Sequence, residues 1–179
     1  AQTIVDHSTG IESGDTVVIQ LPPEAEDLAV ALAELCGDRG AQPVWISNSD
    51  RFSRAFKRAA EGFEEAAHEL AMYEETDVFI IARGGANVTE GADVDPETNA
   101  AYNRARKAIK EERLSKTWCL TQVPTSGHAQ LAGMSTEAYE NFVYDAVSLD
   151  WDAQREFQSN LVEILDDAAE VRIRSGEET

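Results

Sequence analysis

The chain has 179 residues, 42% of them hydrophobic; it is about the size of one domain and apolar enough for a core, which excludes disorder along its whole length. Its 34 acidic against 15 basic residues give a formal net charge of −19, and phosphate binding relies on clustered Lys and Arg, so nucleic-acid and anionic-membrane partners are excluded. The carboxylates are spread along the chain, forming a surface that repels itself unless screened; a Debye length of roughly 3 Å at 1 M salt supplies that screening, and the composition points to a halophile's protein.

In chain order, Ala1 to Thr9 reads as a short helix closed by Gly10 and the Ser13-Gly14-Asp15 turn. Thr16 to Leu21 (TVVIQL) is a buried strand, followed by a helix from Glu24 to Cys36 with Leu28, Leu32 and Leu35 on one face and Gly37 and Gly40 at its end. Pro43 to Ser47 is a second strand. Ser49 caps a helix carrying Phe52, Phe56, Ala59 and Ala60, and another helix spans Phe63 to Tyr73. Asp77 to Ala82 (DVFIIA) is the third strand. Asp95 caps the next helix with Pro96 at its first position, and that helix runs to about Leu114. Thr117 to Val123 is the fourth strand. Ser135 caps a helix bearing Tyr139, Phe142, Val143, Ala146 and Val147; Trp151 to Ala168 is another, with Phe157, Leu161, Ile164 and Leu165 on one side. Glu170 to Arg174 is expected to be a fifth strand.

Apolar strands alternating with amphipathic helices predict an α/β fold, a Rossmann-like three-layer sandwich around a mostly parallel sheet of about five strands, with residues 1–179 as a single domain. Cys36 and Cys119 form no Cys-x-x-Cys and are expected as free, buried thiols of a reducing compartment. With neither a signal peptide nor an apolar run of membrane-spanning length, the chain is expected to be cytoplasmic. It starts at Ala1 rather than Met, as expected of a trimmed or recombinant piece.

In such sheets ligands bind beyond the carboxyl ends of the strands, so three loops deserve testing. Pro22-Pro23-Glu24-Ala25-Glu26-Asp27 has two residues without an N–H and three carboxylates, which repel a phosphate where a dinucleotide binder would carry glycines. Arg83-Gly84-Gly85 offers either an anion-binding nest or simply a tight turn. Pro124-Thr125-Ser126-Gly127-His128 holds a hydroxyl and an imidazole, but Ser126 and His128 are two residues apart and do not face each other on a helix. The plainer expectation is that Pro124 ends the strand and Thr125 or Ser126 caps a short helix. The histidines His7, His68 and His128 are scattered, with no His-Glu-x-x-His and no Cys/His cluster. The densest basic run, Arg104, Arg106, Lys107 and Lys110, is interleaved with Glu111 and Glu112 and reads as a solvated helix face.

One constellation is recognisable. Thr117-Trp118, Pro124-Thr125, Ala129-Gln130, Ala132-Gly133-Met134-Ser135, Glu137, Tyr139-Glu140 and Phe142-Val143 resemble a signature of the aminopeptidase T / aminopeptidase S family, also called thermophilic metalloproteases. Gly14-Asp15-Thr16-Val17, Glu24-Ala25 and Val171-Arg172-Ile173 extend the resemblance over nearly the whole chain. It covers only the N-terminal part of such an enzyme. The resemblance implies that two divalent metal ions, zinc, cobalt or similar, act in the full-length enzyme to release N-terminal amino acids from peptides. Their ligands lie in a C-terminal part, so no catalytic or metal-binding role passes to any residue here. Where that family often has an aromatic residue, this chain has Ser126-Gly127-His128.

The leading expectation is therefore the non-catalytic N-terminal domain of a metalloaminopeptidase, inactive alone. Its expected partners are the C-terminal catalytic part of the same polypeptide, peptide substrates in the full enzyme, and a second copy as a homodimer. Arg83, Gly84, Gly85, Pro124, Thr125, Ser126, His128 and Gln130 are the candidate cleft or domain-interface residues. Two alternatives stand beside it: a self-standing α/β small-ligand-binding module, and a stand-alone hydrolase using Ser126 or His128.

Overall fold

Among the described residues, four short strands alternate with helices, as the apolar runs predict. A computed structural model of the chain describes residues 1–172 and 175–176. Strands β1 (Thr16–Leu21), β2 (Gln42–Ser47), β3 (Val78–Arg83) and β4 (Thr117–Gln122) form one all-parallel sheet in the order β2-β1-β3-β4. The expected fifth strand, Glu170 to Arg174, falls partly on Ile173 and Arg174, which lie outside the described residues. The chain divides into two compact units, Ala1–Asn141 and Phe142–Thr179.

In the first unit the period-two register sorts side chains onto two faces. On one, Val17, Ile19, Leu21, Val78 and Ile80 meet Val5, Leu32 and Cys36, which come from the N-terminal segment and from helix α1 (Glu26–Arg39). On the other, Val18, Phe79 and Ile81 meet Tyr73 of α3 (Ala67–Glu74) and Ile109 of α5 (Lys107–Ser115). This is the three-layer sandwich the sequence predicts. Phe79, Ile80 and Leu32 are fully enclosed, and each contributes about 1.5–3 kcal/mol of burial free energy. The strands are not all enclosed on both faces, however. β2 and β4 form the sheet edges, and Val44, Trp45, Trp118 and Leu120 on them stay partly exposed.

Helix ends follow local chemistry. α1 continues through Gly37 and stops at Gly40, whose φ of 75° is left-handed. Ser49 caps α2 (Asp50–Ala59), accepting from Phe52 N at 3.3 Å, and Asp95 caps α4 (Pro96–Ala105), accepting from Glu97 N at 2.8 Å. The single helix expected from Pro96 to Leu114 is two, because Arg106 leaves helical geometry at φ −100°, ψ 13°. α3 begins at Ala67 rather than Phe63. A short helix α6 (Ser126–Leu131) follows β4, and α7 (Thr136–Val147) starts after Ser135, which accepts from Ala138 N at 3.2 Å.

Helix α8 (Trp151–Asp166) lies in the second unit, capped by Asp150, which accepts from Ala153 N at 3.0 Å. Among the described residues of that unit nothing covers its apolar stripe: Phe157 is 70%, Leu161 55% and Ile164 70% exposed. Both cysteines are free thiols; Cys36 is buried and Cys119 half-buried. No helix among the described residues is long and apolar enough to cross a membrane.

Candidate functional site

A parallel sheet delivers its loops to the carboxyl ends of its strands, and here three of them are laced together by hydrogen bonds to backbone groups. Glu24, after β1, accepts from Ala86 N at 3.3 Å. Val123 N, leaving β4, donates to Arg83 O at 2.8 Å. Thr125 then donates its hydroxyl proton to Gly85 O at 2.7 Å. The loop backbones approach so closely that a Cβ on Gly127 would stand 2.7 Å from Gly85 O and 2.8 Å from Ala86 O. Gly84 is similarly confined, a Cβ there meeting Pro22 Cγ at 3.1 Å and Thr125 Cγ2 at 3.2 Å.

His128 completes this junction. Its Nδ1 lies 2.9 Å from Thr125 Oγ1. Because the Thr125 proton is committed to the Gly85 carbonyl, Nδ1 is the donor in the bridge to the Thr125 hydroxyl. The imidazole lies parallel to Tyr139, with centroids 6.5 Å apart, and Gln122 Nε2 donates to the Tyr139 hydroxyl at 2.6 Å. His128 thus donates toward Thr125 and does not act on it as a base. No hydrogen bond joins Ser126 to His128 among the described residues, and the Ser126 side chain faces solvent. The chemistry of a base-activated nucleophile needs the opposite arrangement.

Beside the junction a cavity of about 820 Å³ runs from the carboxyl ends of the strands onto the α3–α5 face of the sheet. Arg83, Gly84, Gly85 and His128 line it, as do Ser49 and Asp50 after β2. Further in, Glu69 of α3 holds Arg106 through two hydrogen bonds, one of 2.6 Å. This hydrogen bonding to Glu69 raises the Arg106 guanidinium above its ordinary pKa. At the mouth, Arg54 grips Asp93 through both carboxylate oxygens and Arg58 joins at 2.8 Å, tying α2 to the loop before α4. Hydrogen bonding by Arg54 lowers the Asp93 carboxyl.

Of the residues singled out from sequence, Arg83, Gly84, Gly85, Pro124, Thr125 and His128 come together at this end of the sheet. Thr125 occupies the N-cap position of α6, yet its side chain makes no capping bond, because the hydroxyl serves Gly85 instead. Ser126 and Gln130 are solvent-exposed on α6. Sequence reasoning missed the Thr125–His128 contact: it weighed the i, i+2 pair of Ser126 and His128, whereas the i, i+3 spacing was the available signal. The described residues do not fit a metal centre, since they bring no three His, Cys, Asp or Glu side chains together in ligating geometry.

Comparison with known proteins places this architecture. A search of curated proteins finds no significant match. Among solved structures, wild-type AmpT from Thermus thermophilus superposes with a TM-score of 0.65 at 20% identity, over 81% of this chain and 40% of that one. The match therefore spans 40% of that protein's length, and at this identity the likeness is one of fold. A family profile described as Thermophilic metalloprotease (M29) matches residues 1–179. With that match running from the first residue to the last, the chain belongs to the thermophilic metalloprotease family.

Proposed function

We propose that this chain is the N-terminal, non-catalytic domain of a two-metal, leucyl-type aminopeptidase that releases N-terminal residues from peptides. The observation that carries the reading is that the family profile covers the whole chain while the chain spans only 40% of AmpT. Catalysis by two divalent ions, zinc or cobalt, needs carboxylate and imidazole ligands converging within one site. The described residues offer no such set, so in this reading the ligands belong to the C-terminal part of the same polypeptide. The exposed stripe of α8, with Phe157, Leu161 and Ile164, supports burial against that part or against a second copy in a homodimer. Arg83, Gly84, Gly85, Pro124, Thr125, Ser126, His128 and Gln130 are the residues facing the peptide cleft or the domain interface. The acidic surface supports a halophile's cytoplasm as its setting.

Titration of the chain with zinc or cobalt at neutral pH tests the reading, with no stoichiometric site expected. Two tight sites per chain would overturn it. The cavity of about 820 Å³ favours a second reading, a self-standing small-ligand module. Under that reading the chain binds its ligand without any further polypeptide.

A further inference from the structure

The basic run on α4 and α5 is not a uniformly solvated face. Arg104, Arg106, Lys107, Lys110 and Arg113 all line a second cavity, of about 590 Å³, together with Gln20, Tyr73, Asn103 and Ile109. That is five of the chain's 15 basic residues and no carboxylate, in a molecule of net charge −19. Of the acids interleaved in the run, Glu112 pairs outside the lining, with Lys116 at 3.1 Å, while Glu111 pairs with Lys107 at 3.6 Å. Arg106 is held by Glu69. Arg104, Lys110 and Arg113 have no carboxylate within ion-pair distance among the described residues. Three cations gathered here without an ion-paired carboxylate of their own raise the free energy of the empty cleft and favour an anion entering it.

The floor of the cleft adds a donor. Gln20 and Tyr73 are 9% and 3% exposed, and the Gln20 amide hydrogen-bonds the Tyr73 hydroxyl. If the amide nitrogen donates, the phenol proton remains unused; if the amide is flipped, the phenol donates and the amide N–H groups remain. In both orientations the pair retains a hydrogen-bond donor beyond their shared bond. Burial raises the Tyr73 pKa, so the phenol stays protonated at neutral pH.

We propose that this cleft binds a small polyanion, a compact ligand carrying two or more negative charges on oxygen, whether a phosphate group or a polycarboxylate. Arg104, Lys110 and Arg113 supply the charge, and the Gln20–Tyr73 pair supplies the neutral donor. The proposal does not depend on the chain's place in a peptidase.

Calorimetric titration of the chain with sodium phosphate and, separately, with sodium citrate tests it, at one fixed sodium chloride concentration because screening weakens such binding. Saturable binding of one anion per chain is expected. Lys110→Gln combined with Arg113→Gln should weaken it by about tenfold or more, while Arg51→Gln, which removes a cation outside the cleft, leaves it unchanged. The circular dichroism melt of each variant identifies any that fails to fold, and Lys110→Gln alone, on an exposed side chain, then carries the comparison. Saturation by phosphate alone assigns a phosphate ligand; saturation by citrate alone assigns a polycarboxylate. Absence of saturation by both, or equal affinity in wild type and the folded cleft variants, would overturn the proposal.

Discussion

Thr125 shows how one side chain binds two loops together. It is 5% exposed, and its hydroxyl serves both the Gly85 carbonyl and the His128 imidazole. Thr125→Val preserves shape but leaves that carbonyl and the Nδ1–H without their partner, so a loss of about 1–3 kcal/mol is expected in urea denaturation. Thr125→Ser, which keeps the hydroxyl, should lose less. Asp77 is a second single-residue case, at the opposite end of the sheet. Its carboxylate accepts from Thr16 N at 2.9 Å and from Thr16 Oγ1 at 2.7 Å, and these bonds lower its pKa. A lowered folded-state pKa contributes stability that is complete above the unfolded value, about 3.9, and is lost as pH falls through the folded value. The stability difference between wild type and Asp77→Asn should therefore shrink as urea midpoints are followed down below about pH 4.

At the scale of elements, the site depends on how closely α6 approaches the loop after β3. Gly127→Ala would force a Cβ against the backbone carbonyls of Gly85 and Ala86, the first of which is held by the Thr125 hydroxyl, and overpacking of this kind costs about 1–3 kcal/mol. A lower melting temperature with altered near-ultraviolet signal from Tyr139 is the expected result. Much of this scale is legible in sequence. TVVIQL and DVFIIA announce β1 and β3 because both are central, buried runs, and Ser49 and Asp95 announce helix starts because capping is a local bond. The break at Arg106 carries no Gly or Pro to mark it. Gly37 and Gly40 look alike as letters, and only the left-handed φ of Gly40 distinguishes the stop. The Thr125–Gly85 bond joins residues 40 apart in the chain, so periodicity cannot reveal it. The cation-lined cleft is hidden for a related reason: sequence shows Glu111 and Glu112 among the bases, but not that neither pairs with Arg104, Lys110 or Arg113.

For the whole molecule, net charge and the proposed need for a catalytic partner domain are the two matters to test. A net charge of −19 on 179 residues leaves carboxylates repelling one another over the surface. In the halophilic reading, dialysis into low salt should diminish the far-ultraviolet helical signal and molar salt should restore it; equal signal at both ionic strengths would contradict that reading. The proposal that this domain is non-catalytic is the stronger claim. The chain belongs to a metalloprotease family along its full length, its described residues assemble no metal-ligating cluster, and the apolar stripe of α8 stands uncovered. Hydrolysis of leucyl-anilide by the purified chain, with zinc or cobalt added, tests this most directly. The account predicts no turnover above a mock preparation, whereas metal-dependent turnover abolished by a chelator would contradict it.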